Sequence, residues 1–118
     1  MDFRISKCLW CFYNNDGTNI TAVNTNGSGM FILSRTASDE KTLYRNKSVL
    51  ASGTHASVGI PGYNVYVLAA NVDGSPSYYR SDEVSMVFAG GGLTATDASI
   101  FTDHFETYMD SNGKGVIS

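Results

Sequence analysis

Two stretches in the second half of the chain decide the predicted fold. Residues 63–79 read YNVYVLAANVDGSPSYY, and residues 84–113 read VSMVFAGGGLTATDASIFTDHFETYMDSNG. The first stretch has the β-branched and aromatic residues of a strand, followed by a turn-forming Asp-Gly-Ser-Pro. The second stretch predicts another strand, a glycine triplet and an amphipathic helix.

The helix has clear start and stop signals. Thr94 or Thr96 can cap it, Asp97 suits its positive N-terminal end, and Asn112-Gly113 can end it. Apolar side chains recur at helical spacing and form one stripe, which consists of Ala98, Phe101, Phe105, Tyr108 and Met109. We expect this stripe to cover a sheet, another chain, or both.

Two strands are predicted before the helix. The segment Tyr63 to Asn71 is apolar on both alternating faces, which predicts a central strand that is buried on both sides. In the segment Val84 to Ala89, Val84, Met86 and Phe88 share one side. We expect that bulky side to face the core.

The rest of the chain is a series of short β-like segments separated by clusters of Gly, Asn, Asp and Ser. The segments are Phe3–Tyr13, Asn19–Asn24, Met30–Arg35, Leu43–Arg45 and Ser48–Ala51. Asn46-Lys47 lies between the last two and predicts a two-residue hairpin turn. The predicted fold class is therefore all-β, an antiparallel β-sandwich with one C-terminal α-helix, in a single domain over residues 1–118.

Composition and charge limit the function classes. The chain has 118 residues, of which 42% are hydrophobic and 16% charged, a balance that is typical of a folded domain. A formal net charge of −3 argues against binding to a nucleic-acid backbone. No apolar run approaches the length of a membrane span, and the first residues, MDFRISK, lead into no secretory signal. We expect no nucleic-acid partner, no membrane partner and no export.

No metal or cofactor is predicted. Cys8 and Cys11 lie three residues apart on a predicted strand and point to opposite faces, so we expect two free thiols. Neither His55 nor His104 completes a Cys/His spacing typical of zinc sites.

Four spaced motifs carry a family resemblance. They are GMFILSRT at 29–36, LYRNK at 43–47, NVYVLAANVDGSPSYY at 64–79 and FAGGGLTATDA at 88–98. In this order they resemble the C-terminal part of concanavalin-A-like (laminin-G-like) domains of bacteriophage virion proteins and of related phage-derived or bacterial surface proteins. The resemblance implies a jelly roll and a structural role in a virion, with other virion proteins or copies of itself as partners. Relatives carry more sequence upstream, which is compatible with a shortened sandwich whose edge another subunit closes.

Catalytic signals are weak. Glycoside hydrolases that share the jelly-roll fold place carboxylates on one strand as Glu-x-Asp-x-x-Glu, and this sequence has no such array. The acidic pairs Asp39-Glu40 and Asp82-Glu83 fall in predicted turns. Residues 90–95 match a dinucleotide-binding fingerprint only superficially, because no second parallel strand follows the helix. We therefore expect a protein that is not an enzyme.

Two hypotheses remain, and each names candidate residues. A carbohydrate-binding module would use loop Asp and Asn side chains with aromatic rings, and the candidates are Asn71, Asp73, Tyr78 and Tyr79. A virion component would act through oligomer interfaces on the helix, and the candidates are Phe101, His104, Phe105 and Tyr108.

Overall fold

The computed structural model describes residues 8–11, 20–23, 27–54, 56–57, 62–79, 81, 83–115 and 117. Within these residues the chain forms short strands followed by one helix. In chain order the elements are β1 (Cys8–Cys11), β2 (Ile20–Val23), β3 (Phe31–Ser34), β4 (Lys41–Arg45), β5 (Ser48–Gly53), β6 (Ala70–Val72), β7 (Ser75–Ser77) and α1 (Ala95–Ser111). All strand pairs are antiparallel: β1–β2, the three-stranded sheet β3–β4–β5, and β6–β7. Antiparallel β-structure followed by a C-terminal helix is therefore confirmed.

The three-stranded sheet is built around β4. Its hairpin to β5 turns at Asn46 and Lys47, whose φ angles of 49° and 77° are both left-handed, as in a type I′ turn. The Asn46 side chain also holds the start of β3, because its Oδ1 accepts a hydrogen bond from the Met30 N–H at 2.8 Å. The predicted two-residue hairpin turn is confirmed, with a lysine in a backbone conformation that favours glycine.

Both faces of this sheet are covered. On one face Leu43, only 1% exposed, packs against Ile20 of β2. On the other face Ile32 and Tyr44 pack against Ala98 of α1. Because side chains alternate along a strand, β3 and β4 supply residues to both clusters, while β5 contributes only to the cluster around Leu43. The sheet is thus the middle layer, between β2 and α1.

The helix begins and ends where local signals place it. Thr94 is the N-cap: its Oγ1 accepts from the Asp97 N–H at 3.2 Å, and Asp97 Oδ2 accepts from the Thr94 N–H at 3.1 Å. This reciprocal pair is a capping box. Asn112 is the C-cap, and Gly113 follows with a left-handed φ of 69°. The helix prediction is confirmed, with Thr94 as the cap and Thr96 inside the first turn.

The glycine triplet allows α1 to begin close to the sheet. A Cβ at Gly92 would lie 2.1 Å from the Arg35 carbonyl oxygen, whereas Gly90 and Gly91 have open space around them. Beside this contact, the buried Ser34 hydroxyl donates to the Leu93 carbonyl and accepts from the Leu93 N–H, both at 2.7 Å. Gly92 therefore permits a backbone-to-backbone approach that Ser34 holds in place.

The prediction of a central strand over Tyr63–Asn71 is wrong. Residues 62–69 form bends and irregular backbone, and Val65 is 72% exposed. Only Ala70 and Asn71 of the segment lie in a strand, β6, which pairs with β7 alone. Leu68 has a φ of 61°, which interrupts an extended backbone. A central strand needs a partner on each side, and β4 already holds that place between β3 and β5.

The predicted strand Val84–Ala89 is also wrong, since its described residues form no ladder. Its bulky residues nevertheless contact the helix layer: Met86 packs on the cluster around Ala98, and Phe88 packs on Phe101. The upstream strand predictions agree with β2, β3, β4 and β5 within a few residues at each end. Of the predicted segment Phe3–Tyr13, β1 is the described part, and the remainder lies outside the described residues.

Candidate functional site

The β6–β7 hairpin carries the candidate carbohydrate-binding residues. Its turn consists of Asp73 and Gly74, whose φ angles of 49° and 90° are both positive. Asp-Gly therefore supplies the two left-handed residues that a type I′ turn needs. Asp73 lies exposed at the tip, and Tyr78 and Tyr79 follow β7 at the other end. Three residues of β7 separate the two ends by about 10 Å along the strand.

Asn71 has a structural place in this hairpin. Its Nδ2 donates to the Asn64 carbonyl at 2.8 Å, and its Oδ1 accepts from the Gly74 N–H at 2.7 Å. Both polar ends of the side chain therefore hold the loop together. Each of these atoms can form one more hydrogen bond, so Asn71 can hold the loop and still contact a ligand.

Three tyrosines, Tyr63, Tyr78 and Tyr79, lie beside the hairpin. Tyr79 is 72% exposed, and its hydroxyl donates to the Pro76 carbonyl at 3.3 Å, so the ring leans back along β7. Tyr63 lies near the tip, where its Cε1 is 3.4 Å from the position of a Cβ on Gly74. Sequence reasoning did not name Tyr63 as a site residue, because the alternation of residues 63–71 assigned it to a buried strand. The Pro61-Gly62 step just before it is the signal for a loop.

The candidate interface residues on α1 divide into two kinds. Phe101 and Phe105 are half-buried and pack on the core cluster, so they fasten the helix to the sheet. His104 and Tyr108 are exposed, Tyr108 to 62%. The rings of Phe105 and Tyr108 lie with centroids 6.3 Å apart, which continues the apolar surface outward.

Phe88 extends this apolar surface, and the sequence pattern did not place it among the candidate interface residues. Its ring centroid lies 4.6 Å from that of Phe101 although thirteen positions separate them in the sequence. The helical spacing of apolar residues identifies only side chains within α1. Phe88 belongs to the irregular segment before the helix, so this spacing could not identify it.

The opposite flank of α1 is acidic. Lys47 Nζ lies 2.8 Å from Asp103 Oδ1, and Glu106 Oε1 accepts from the Ile117 N–H at 2.9 Å. With Asp110 and Thr107 these residues line a shallow cleft of about 310 Å³.

At the N-terminal end of the helix, a hydrogen bond from the Thr94 hydroxyl and a second from its backbone N–H hold the pKa of Asp97 below its usual value.

Metal ligands do not converge in the part of the chain that the structure describes, where no group of three His, Cys, Asp or Glu side chains could hold an ion. The side chains of Cys8 and Cys11, and His55, lie outside the described residues. The one described helix is too short and too polar to cross a lipid bilayer.

Comparisons with protein-family models, with curated proteins and with solved structures found no match to this chain.

Proposed function

We propose that this protein is a non-enzymatic structural component of a bacteriophage virion, such as a head decoration, fibre or tail-associated protein. It acts by assembling with copies of itself or with other virion proteins. The motif resemblance motivates this proposal. The observation that carries it is the amount of apolar surface that the described fold leaves uncovered.

The described residues include twelve exposed large hydrophobic side chains, and only six hydrophobic side chains are fully buried. The exposed set includes Val49, Val65, Val87, Phe88, Ile100 and Tyr108. Full burial of one such side chain is worth about 1.5–3 kcal/mol. Covering only four of them in an interface would therefore contribute on the order of 6–12 kcal/mol before the costs of association.

The edges of the central sheet support the same proposal. Among the described residues β3 and β5 each pair on one side only. An edge strand is a template for pairing with another chain. If the chain has a concanavalin-A-like jelly roll, a neighbouring subunit would close such an edge and complete the sandwich.

Solution mass tests the assembly. We expect sedimentation velocity to show concentration-dependent association between about 1 µM and about 100 µM. Mass spectrometry of purified particles, from a phage that encodes this chain, is expected to find it in stoichiometric amounts. A stable monomer that is absent from particles would contradict the proposal.

A carbohydrate-binding module is the second candidate, and the exposed tyrosines of the β6–β7 hairpin favour it. A sugar ring would stack on Tyr79 or Tyr63, with Asp73 as a hydrogen-bond acceptor. Glycan-array binding that Tyr79→Ala abolishes and Tyr108→Ala leaves intact would support this function. Equal binding by both variants would contradict it, because Tyr108 lies on α1 and is not part of the hairpin.

A further inference from the structure

Charge is strongly segregated along the chain. Residues 81–113 contain six acidic residues and no Lys or Arg, while the rest of the chain contains eight basic and five acidic residues. This segment therefore carries a formal charge of −6 and the remainder +3, which together make the net −3. The acidic segment includes α1 and the irregular stretch that packs on it.

The aromatic face is the surface formed by Phe88, Phe101, Phe105 and Tyr108. Ring contacts at 4.6 Å and 6.3 Å join its two pairs, and Phe101 and Phe105 are one helical turn apart. Asp97 precedes Phe101 by one turn and so lies on the same side of α1. The lowered pKa of Asp97 keeps its carboxylate charged. The aromatic face therefore combines apolar rings with one carboxylate, and the other acidic residues of α1 lie on its opposite flank.

A second surface has the opposite character. The basic cleft, of about 250 Å³, is lined by Arg45, Asn46, Ser48, Val49 and Leu50 at the end of the β4–β5 hairpin. Hydrogen bonds from Arg45 Nε and Nη2 to the Ser28 carbonyl, at 3.1 and 2.8 Å, fix its guanidinium, which also lies 5.8 Å from the centre of the Phe31 ring. Val49 is 57% exposed beside it. The cleft thus offers a positive group next to apolar side chains.

We propose that the aromatic face of one copy docks in the basic cleft of a second copy, head to tail. Asp97 beside the aromatic face and Arg45 in the basic cleft are opposite in charge. Each surface also presents apolar side chains. If two aromatic faces met each other, acidic segments of like charge would be brought together, which is unfavourable. A contact between two different surfaces repeats from copy to copy and builds a ring or a filament. This inference rests on the proposed function, since it assigns the surfaces through which the protein would assemble.

Two variants each remove one surface and spare the core. Tyr108→Ser truncates the aromatic face at an exposed position, and Val49→Glu places an acid at an exposed position of the basic cleft, where it offsets the charge of Arg45. Val65→Ser is the matched control, because Val65 is also exposed but belongs to neither surface. Circular dichroism checks that all three fold.

Sedimentation velocity is then run on each protein alone and on mixtures. We expect each surface variant alone to associate at least about tenfold more weakly than wild type, and Val65→Ser to associate normally. An equimolar mixture of Tyr108→Ser and Val49→Glu is expected to form a one-to-one dimer with near wild-type affinity, because one intact face meets one intact cleft. Raising NaCl from about 0.05 M to about 0.5 M should weaken wild-type association, since the screening length falls from about 14 Å to about 4 Å.

Three other outcomes would overturn the inference. Monomeric wild-type protein at every concentration contradicts self-assembly and this docking mode together. If wild type associates and both variants behave like Val65→Ser, assembly stands and uses another surface. If each variant is weakened alone but their mixture forms no dimer, the contact is symmetric and the head-to-tail arrangement is wrong.

Discussion

Replacing Gly92 by alanine tests the close backbone contact between the start of α1 and the end of β3. The added Cβ would lie 2.1 Å from the Arg35 carbonyl oxygen and 3.0 Å from the Arg35 carbonyl carbon. Ordinary contacts of carbon are about 3.5 Å long, so one of the two backbone segments must move by about 1 Å. Both neighbours are main chain, and no side-chain rotation relieves the overlap.

The expected cost follows from what that movement breaks. A shift of about 1 Å would lengthen the two bonds between Ser34 and Leu93, now 2.7 Å each, beyond hydrogen-bond distance. Two such bonds contribute about 1 kcal/mol each, and residual overpacking adds about 1 kcal/mol or more. We expect Gly92→Ala to lower the free energy of unfolding by about 3 kcal/mol. For a chain of this length that corresponds to a fall in Tm of about 12 °C.

Urea unfolding followed by circular dichroism measures the effect, with the other glycines of the triplet as matched controls. A Cβ at Gly90 or Gly91 meets nothing within 4 Å, and neither glycine has a left-handed φ. Alanine at either position is expected to change stability by less than about 1 kcal/mol and to favour folding by restricting the unfolded chain. Equal unfolding free energies for Gly92→Ala and Gly91→Ala would refute the reasoning.

Three further predictions concern the helix cap and the hairpin turn. Thr94→Ala should lower the unfolding free energy by about 1 kcal/mol, and Thr96→Ala by clearly less, in the same urea assay; equal losses would contradict Thr94 as the cap. Lys47→Gly should raise stability by about 0.5 kcal/mol, because relief of the left-handed backbone outweighs loss of the exposed pair with Asp103, whereas Lys47→Ala should lower it. The pKa of Asp97 is lower in the folded chain than in the unfolded one, so its contribution is complete above about pH 5 and is lost as the pH falls below about 4. The stability gap between wild type and Asp97→Asn should therefore close on acidification, and a gap that is constant with pH would show that the charge plays no part.

The elements that could be predicted are those with local signals. Thr94 and Asp97 satisfy orphan backbone groups within one helical turn, so the start of α1 depends on residues three apart. The turn at Asn46-Lys47 likewise depends on neighbouring residues. Asp73-Gly74 was assigned to a turn for the same reason, and the structure places it at the tip of the β6–β7 hairpin.

The strand that was misplaced shows the limit of pattern reasoning. Residues 63–71 alternate as a buried strand does, but alternation does not say which segments find partners. The pairing of β4 with β3 and β5 occupied the centre of the sheet and left Val65 exposed. The contact between Phe88 and Phe101, and that between Tyr63 and the Gly74 turn, also join residues that no local period connects.

By itself the sequence determined the helix with its caps, the tight hairpin turns, and the segregation of acidic residues into one segment, because each of these depends on residue type and close spacing. Only the tertiary structure decided which strand lies at the centre and which apolar side chains remain uncovered. It also showed that Gly92 alone of the triplet meets another backbone. The physical reason is that strand pairing and burial are settled by competition among distant segments for the same partners, and that competition is resolved only when the whole chain folds.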